Sequence, residues 1–448
     1  MFVLDDCWWE AYITDRRSAT GIAAGVERAV DAGVLTAGCT LPPIRGLAGE
    51  LGVNPNTVSA AYRTLRRRGV VETAGRRGTR VRPRLGSALR EDIAVPVAAG
   101  SHDLAGGNPD PRLLPAPGGP LGDANPDAEP VLYGWPAEDD GLRRVATESF
   151  GADGVPEGTV AVACGALDAV EKALLSRLRP GDRVAVEDPG WHALLDLLGL
   201  LGLEPHGVPV DDQGPLPDAF ASALGAGARA VVVTSRAQNP FGSALSGRRA
   251  EALREVMAAH PQALLIEDDH GFAFTSSPFH SLAPAARDWM LVRSVSKFLG
   301  PDLRTAVLVG DPQTVEGVRT RQRVTQGWVS HTLQRTAARL WREAADTPRH
   351  VAARYDERRQ ALIDALARHA VPAHGASGLN VWVPVPEETG VVSRLQDRGW
   401  AVAPGARFRI SGRPGMRITT AALDPAEAPS LAADVAASLR PETAGRGT

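Results

Sequence analysis

Lys297 stands at the end of an apolar run and two hydroxyls, Leu291-Val292-Arg293-Ser294-Val295-Ser296-Lys297. An ε-amine can lose its proton and attack a carbonyl, whereas a guanidinium stays charged and weakly nucleophilic. The contrast matters because only two of the 49 basic residues are lysines, Lys172 and Lys297. Arginine carries the general surface charge, so a persisting lysine marks a place where arginine would not serve. Ala, Arg and Gly richness suggests GC-rich coding, which lowers the weight of rarity alone. Lys172, in Glu171-Lys172-Ala173-Leu174-Leu175, reads as the solvent side of an amphipathic helix.

Other residues add to the chemistry. Asp268 follows an apolar strand and offers a carboxylate for a protonated ring nitrogen. Asn239, in Gln238-Asn239-Pro240, offers an amide for a ring oxygen, and Trp191 a flat face for stacking. Gly165 and Ala166 open a helix after a strand, where backbone N–H groups hold phosphate. Ser294, Ser296 and Arg304 add hydroxyls and a guanidinium for the same anion, and Arg417 suits a substrate or effector carboxylate. Singly, each has a plain reading: Asp268-Asp269 closes a strand, Asn239-Pro240 makes a turn, and Trp191 fills a core. Together and in this order they suit pyridoxal 5'-phosphate (PLP), held as an aldimine on Lys297.

The elements that must position these groups are legible as strand–helix alternation from about residue 103. Apolar strands at 159–163, 183–186, 230–234, 263–266 and 290–293 alternate with helical stretches. That pattern implies a mostly parallel sheet covered on both faces. A long helix over 351–370, strands near 379–383 and 416–419 and a helix over 425–439 suggest a smaller α+β lobe at about 349–440.

The N-terminal part reads differently. A helix over 23–34, a short one over 44–51 and a third over 55–68 precede strands at 70–73 and 79–82. Asn54 caps the third helix and Pro55 takes its first position. This order describes a winged helix-turn-helix over residues 1–82, with a linker at 83–101 and the large domain over 102–448. Residues 1–90 carry a net charge of +6 and the remainder −9. A basic head on an acidic body suggests an anionic partner such as double-stranded DNA. Arg45, Asn54, Asn56, Thr57, Ser59 and Arg63 offer groups for base edges and phosphates, while Arg76, Arg77 and Arg80 form a cationic wing.

Composition narrows the classes. The chain of 448 residues is 44% hydrophobic and 23% charged, ordinary for a globular protein. No run approaches ~18 apolar residues, so no membrane span is expected. An acidic N-terminus without an apolar core and three scattered cysteines point to a reducing cytoplasm and away from disulfides or zinc.

The segments 41–48, 51–58 and Ala61-Tyr62 through Gly69 resemble the GntR-type winged helix. That resemblance implies DNA contacts from Arg45, Asn56 and Thr57. The order of site residues over about 103–438 resembles fold-type I aminotransferases, and the two together resemble the MocR subgroup of GntR regulators. Residues 292–304 are the most specific stretch and are similar to a branch tied to vitamin B6 metabolism. The resemblance implies a homodimer in which Tyr133 reaches the partner's cofactor phosphate, and it places His270 near a common tyrosine that bonds the ring oxygen. The chain departs from the pattern at His270, Glu138, Asp168 and Phe241. It implies a cytoplasmic, nucleoid-associated regulator sensing PLP or a PLP-reactive amine or amino acid. The alternative is a PLP-dependent aminotransferase with an appended DNA-binding domain.

Overall fold

A computed structural model describes residues 8–36, 38–67, 70–73, 78–81, 90, 97–115, 131–344 and 347–440. Two compact units are present, one of residues 1–89 with 179–182 and 199–204, and a larger one of residues 90–178, 183–198 and 205–448.

The N-terminal unit has helices α1 (Trp8–Tyr12), α2 (Ala19–Asp31), α3 (Ile44–Leu51) and α4 (Pro55–Arg67), then strands β1 (Val71–Thr73) and β2 (Thr79–Val81). The second helix starts at Ala19 rather than residue 23, because the Ser18 hydroxyl accepts from the Gly21 N–H and caps it. Asn54 caps α4, its side-chain oxygen accepting from the Asn56 N–H at 2.8 Å. Val58, Ala61, Tyr62 and Leu65 recur at helical spacing and are buried against Ile22, Val26, Leu47 and Leu51. The Tyr62 hydroxyl donates to the Pro42 carbonyl, fixing α4 to the segment entering α3. The antiparallel β1–β2 pair closes this core through Val71 and Val81.

The large unit contains strands β3 (His102–Leu104), β4 (Thr159–Ala163), β5 (Arg183–Asp188), β6 (Glu204–Asp211), β7 (Gly214–Pro215), β8 (Ala228–Thr234), β9 (Leu264–Asp268), β10 (Trp289–Ser294), β11 (Ala306–Gly310), β12 (Asn380–Pro384), β13 (Trp400–Pro404) and β14 (Gly415–Thr419). Among the described residues eight of them form one sheet, in the order β4-β11-β10-β9-β8-β5-β6-β7. Strands β10, β9, β8 and β5 run parallel, and β11 is antiparallel to both β10 and β4. Strand β4 therefore runs with the parallel set. Register aligns Ala163, Ala306 and Ser294 in one row, and Thr234, Asp268 and Val292 in another. The loops after β4, β5, β8, β9 and β10 thus leave from one edge, where ligands of open α/β sheets bind. Strands β12, β14, β13 and β3 form a second sheet around a separate apolar core. The last helical stretch is two elements, a 3-10 turn at Pro425–Glu427 and a helix at Ala428–Leu439, since Asp424 caps the turn.

Behind β9 and β10 lies a buried ion network. The Arg236 Nε donates to Asp269 Oδ1 at 2.7 Å and the Arg293 Nε to Asp269 Oδ2 at 2.9 Å. Both guanidiniums also engage Asp153, and Arg293 Nη1 donates to the carbonyl and hydroxyl of Ser149 in helix α5 (Asp140–Ala152). Arg293 and Asp269 are completely buried.

Candidate functional site

Lys297 follows β10 in a 3-10 turn, and its amine donates to the Gly107 carbonyl at 2.5 Å. Burial and, secondarily, the nearby Arg417 guanidinium lower its pKa to about 8. Arg417, on β14, is 2% exposed, with Nη1 donating to Asn239 Oδ1 at 2.9 Å and Nη2 to the Ala105 carbonyl. Burial and then Arg407 lower its pKa to about 9. The segment 105–107 thus holds both cationic groups. Gly107 has φ +69° and a Cβ there would meet the Arg417 guanidinium at 3.0 Å, so only glycine fits both the backbone and the contact.

Asp268 ends β9, 4% exposed. Its Oδ2 lies 3.2 Å from His270 Nδ1, while its Oδ1 is buried without a hydrogen-bond partner. Such an orphaned acceptor is costly unless a ligand donates to it. Trp191 and Asp268 line the same cavity with Thr234, Val186 and Glu187. His270 is therefore placed on Asp268, the carboxylate that would face a ring nitrogen, and contacts Phe274.

Gly165 leaves β4 with φ +112° and precedes helix α6 (Ala166–Arg177). A Cβ on Gly165 would lie 2.9 Å from the Arg304 guanidinium, which donates to the Cys164 carbonyl. Ser294 Oγ and Ser296 Oγ lie 3.1 Å apart. Helix terminus, guanidinium and hydroxyls form an anion cradle. Asp168 sits in the first turn of α6, where a carboxylate would repel phosphate, yet it is neutralised. Its Oδ2 accepts from the Cys164 N–H at 2.9 Å, and its Oδ1 pairs with Lys172 and accepts from Gln326 Nε2. Lys172 is not a surface residue: it is 5% exposed, because it turns inward to meet this carboxylate. Glu138 likewise pairs with Arg319 at 2.9 Å. Lys172→Met is expected to weaken PLP binding about tenfold by leaving the Asp168 charge beside the cradle. Titration followed by Trp fluorescence checks this, and Lys172→Met with Asp168→Asn should recover most of the loss.

Glu187 is a buried carboxyl that sequence reasoning passed over as part of a strand. It accepts from the Thr234 N–H at 2.9 Å and from Gln238 Nε2 at 3.1 Å. Burial pushes its pKa up to about 7, and Asp268 adds to the rise. A carboxyl with a raised folded pKa binds its proton more tightly folded than unfolded, so stability falls as pH rises from 4.5 to about 7. Glu187→Gln should flatten that slope, read as the difference in Tm between pH 5 and 7.5. An unchanged difference would rule the carboxyl out as its source.

Tyr133 is 92% exposed, edge-on to Trp328. In the N-terminal unit Arg45, Asn54, Asn56 and Arg63 are exposed, with Thr57 and Ser59 half-buried. Arg80 lies within β2 and is half-buried, bridged to Thr40, rather than at the wing tip. Arg76 and Arg77 lie outside the described residues.

The orphaned oxygen of Asp268, the glycine cradle beneath Arg304 and the desolvated amine of Lys297 fit PLP. When bound, that group supplies an electron-withdrawing ring whose nitrogen a carboxylate keeps protonated. Among the described residues no helix is long and apolar enough to cross a membrane.

Comparison with known proteins agrees with this reading of the sequence. Residues 18–81 match the bacterial regulatory proteins of the gntR family, and residues 145–435 match aminotransferase class I and II. The chain is 37% identical over 429 residues to the vitamin B6 salvage pathway transcriptional repressor PtsJ of Salmonella typhimurium, covering 94% of this chain and 98% of that protein. It is 29% identical over 311 residues to the pyridoxine biosynthesis transcriptional regulator PdxR of Corynebacterium glutamicum, covering 65% of each. Among solved structures, a Pyrococcus horikoshii kynurenine aminotransferase in complex with PMP superposes with a TM-score of 0.67 at 21% identity, covering 75% of this chain and 90% of that one. The Thermus thermophilus α-aminoadipate aminotransferase LysN, complexed with N-(5'-phosphopyridoxyl)-L-leucine, gives 0.66 at 23%, covering 75% and 91%. With a gntR-type head and a class I and II aminotransferase body in one chain, and a relative matched over nearly its whole length, the protein belongs to the MocR subgroup of GntR-family transcriptional regulators.

Proposed function

We propose that the chain is a DNA-binding transcriptional regulator of vitamin B6 metabolism that holds PLP at Lys297 and senses PLP or an amine that reacts with it. The carrying observation is the double engagement of residues 105–107: their carbonyls occupy both the Lys297 amine and the Arg417 guanidinium. A ligand carboxylate at Arg417 competes with the Ala105 carbonyl, and a carbonyl compound at Lys297 competes with that of Gly107. The segment follows directly on β3 and the preceding linker, so ligand-dependent movement there passes along the chain toward the winged helices. Such coupling requires that ligand prefer one arrangement of the segment, and the two competing contacts supply that preference. Phosphate is held by Gly165, Ala166, Ser294, Ser296 and Arg304, with Tyr133 contributed across a homodimer. Arg45, Asn56, Thr57, Ser59 and Arg63 face operator DNA, and Asn54, whose side-chain oxygen caps α4, has its amide group for DNA.

Quantitative footprinting of the intergenic DNA beside its own gene, with and without PLP, tests the reading. Protection that shifts in extent or affinity with PLP is expected. Identical footprints and affinities would remove the sensor role.

A further inference from the structure

Gln238 is completely buried, and both polar atoms of its side chain are in use. Its Nε2 donates to Glu187 Oε2 at 3.1 Å and to the Pro189 carbonyl at 2.9 Å, and its Oε1 accepts from the Phe241 N–H at 2.8 Å. Its backbone closes the same turn, the N–H donating to the Ser243 carbonyl and the carbonyl accepting from the Gly242 N–H. One amide therefore ties two turns together. The turn at 188–191 ends in Trp191, the face for ring stacking, and the turn at 238–243 carries Asn239, the donor for a ring oxygen. We propose that Gln238, seated on Glu187, is the positioning residue that sets Asn239 against the ring oxygen of PLP and Trp191 against the ring face. This rests on the reading of Lys297 as the PLP site and assigns to that site two residues that act through others.

Glu187 gives the amide a fixed seat. Its Oε1 accepts from the Thr234 N–H at 2.9 Å, and Thr234 is the register partner of Asp268 across β8 and β9. The carboxyl thus joins the strand end beside Asp268 to the amide beside Asn239. The Trp191 turn folds tightly over the same residue, since a Cβ on Gly190 would lie 2.2 Å from the Glu187 carbonyl oxygen. Three side-chain hydrogen bonds hold the Gln238 amide in a single orientation, where filling the space would need none.

Asn239 depends on that placement. Its Oδ1 accepts from Arg417 Nη1 at 2.9 Å, so its NH2 group is the part left for a ring oxygen. Such a contact tolerates a displacement of only ~0.5 Å before it is lost. The turn that carries Asn239 has its side-chain tie to the Trp191 turn through Gln238.

The test follows the visible absorbance of the lysine-bound cofactor in the full chain as pH is varied. A donor at the ring oxygen stabilises the oxygen anion and holds down the proton affinity of the lysine nitrogen beside it. Arg417, the charged group acting on Lys297, is kept in every variant. Asn239→Ala should raise the absorbance midpoint by about one pH unit. Gln238→Met should raise it comparably, and Asn239→Ala added to Gln238→Met should raise it little further, because both remove the same contact. Gln238→Glu combined with Glu187→Gln re-forms the bond between the two positions with donor and acceptor exchanged, and should return the midpoint most of the way. An unmoved midpoint in Gln238→Met, additive shifts in the double variant, or an exchanged pair that folds with its midpoint still displaced would overturn the proposal. The exchanged pair decides the matter where Gln238→Met does not fold. A missing visible band in the unsubstituted protein would overturn the PLP reading together with this one, whereas the other adverse outcomes leave the PLP reading standing.

Discussion

Lys297→Ala is expected to abolish covalent capture of PLP, removing the visible absorbance of the lysine-bound cofactor and the adduct trapped by borohydride. The other lysine cannot substitute, because the Lys172 ammonium is buried and paired with Asp168. In the unsubstituted protein the pKa of about 8 makes the amine competent near neutrality. At pH 7.5 roughly a quarter of such amines are neutral, against about one in a thousand for an ordinary lysine. The capture rate should therefore rise with pH around a midpoint near 8. The stability consequence has the opposite origin to that of a paired lysine. Because the folded pKa lies below 10.5, the unfolded chain binds more protons between pH 8 and 10.5. The bare protein thus gains stability as pH climbs through that window, and Lys297→Met should stabilise it below pH 8. An adduct that persists at full stoichiometry in Lys297→Ala protein would refute the assignment.

Arg293→Met carries the largest expected cost to folding. Its Nε, Nη1 and Nη2 all donate, to Asp269, Ser149 and Asp153. Removing it leaves Asp269, which is fully buried, with one guanidinium instead of two. Breaking a buried ion cluster from one side costs about 3–5 kcal/mol. For a unit of this size that is about 4–7 °C in the melting of the large unit by calorimetry. Arg293→Lys should recover little, since an ammonium replaces a planar fork whose three edges are all used. A shift below ~2 °C would show that the network contributes order rather than stability. The network backs β9 and β10, so PLP affinity should fall with it.

Local patterns made much of this architecture legible. The strands β4, β5, β8, β9 and β10 announce themselves as short apolar runs, and the candidate site residues Gly165, Trp191, Asn239, Asp268 and Ser294 lie at their C-terminal ends or in the loops just beyond. Asn54-Pro55 marks the start of α4 by cap and first-position chemistry. What the sequence withheld depends on contacts between distant segments. Lys172 looked exposed because Glu171 and Ala173 flank it, and its partner Asp168 looked like a defect; one turn of helix makes each explain the other. Gly106-Gly107 carried a signal, a glycine pair after a strand, but nothing local links it to Lys297, 190 positions on. Arg407 Nη2 lies 3.3 Å from His192 Nε2, 215 positions away, where Asp188 fastens the loop at 410–412 and the Gly190 N–H donates to the Phe408 carbonyl. No periodicity encodes that closure.

The inward turn of Lys172 has a practical consequence for peptide chemistry. A lysine-specific endoprotease has two cleavage points in this chain, after residues 172 and 297, and yields fragments 1–172, 173–297 and 298–448. Reductive attachment of a pyridoxyl group to Lys297 removes the second point and fuses the last two fragments. In the folded protein Lys172 is closed to amine reagents, so labelling by them reports on Lys297 and the chain terminus alone. The arginine-rich surface thereby turns the two retained amines into a built-in mass readout of cofactor occupancy.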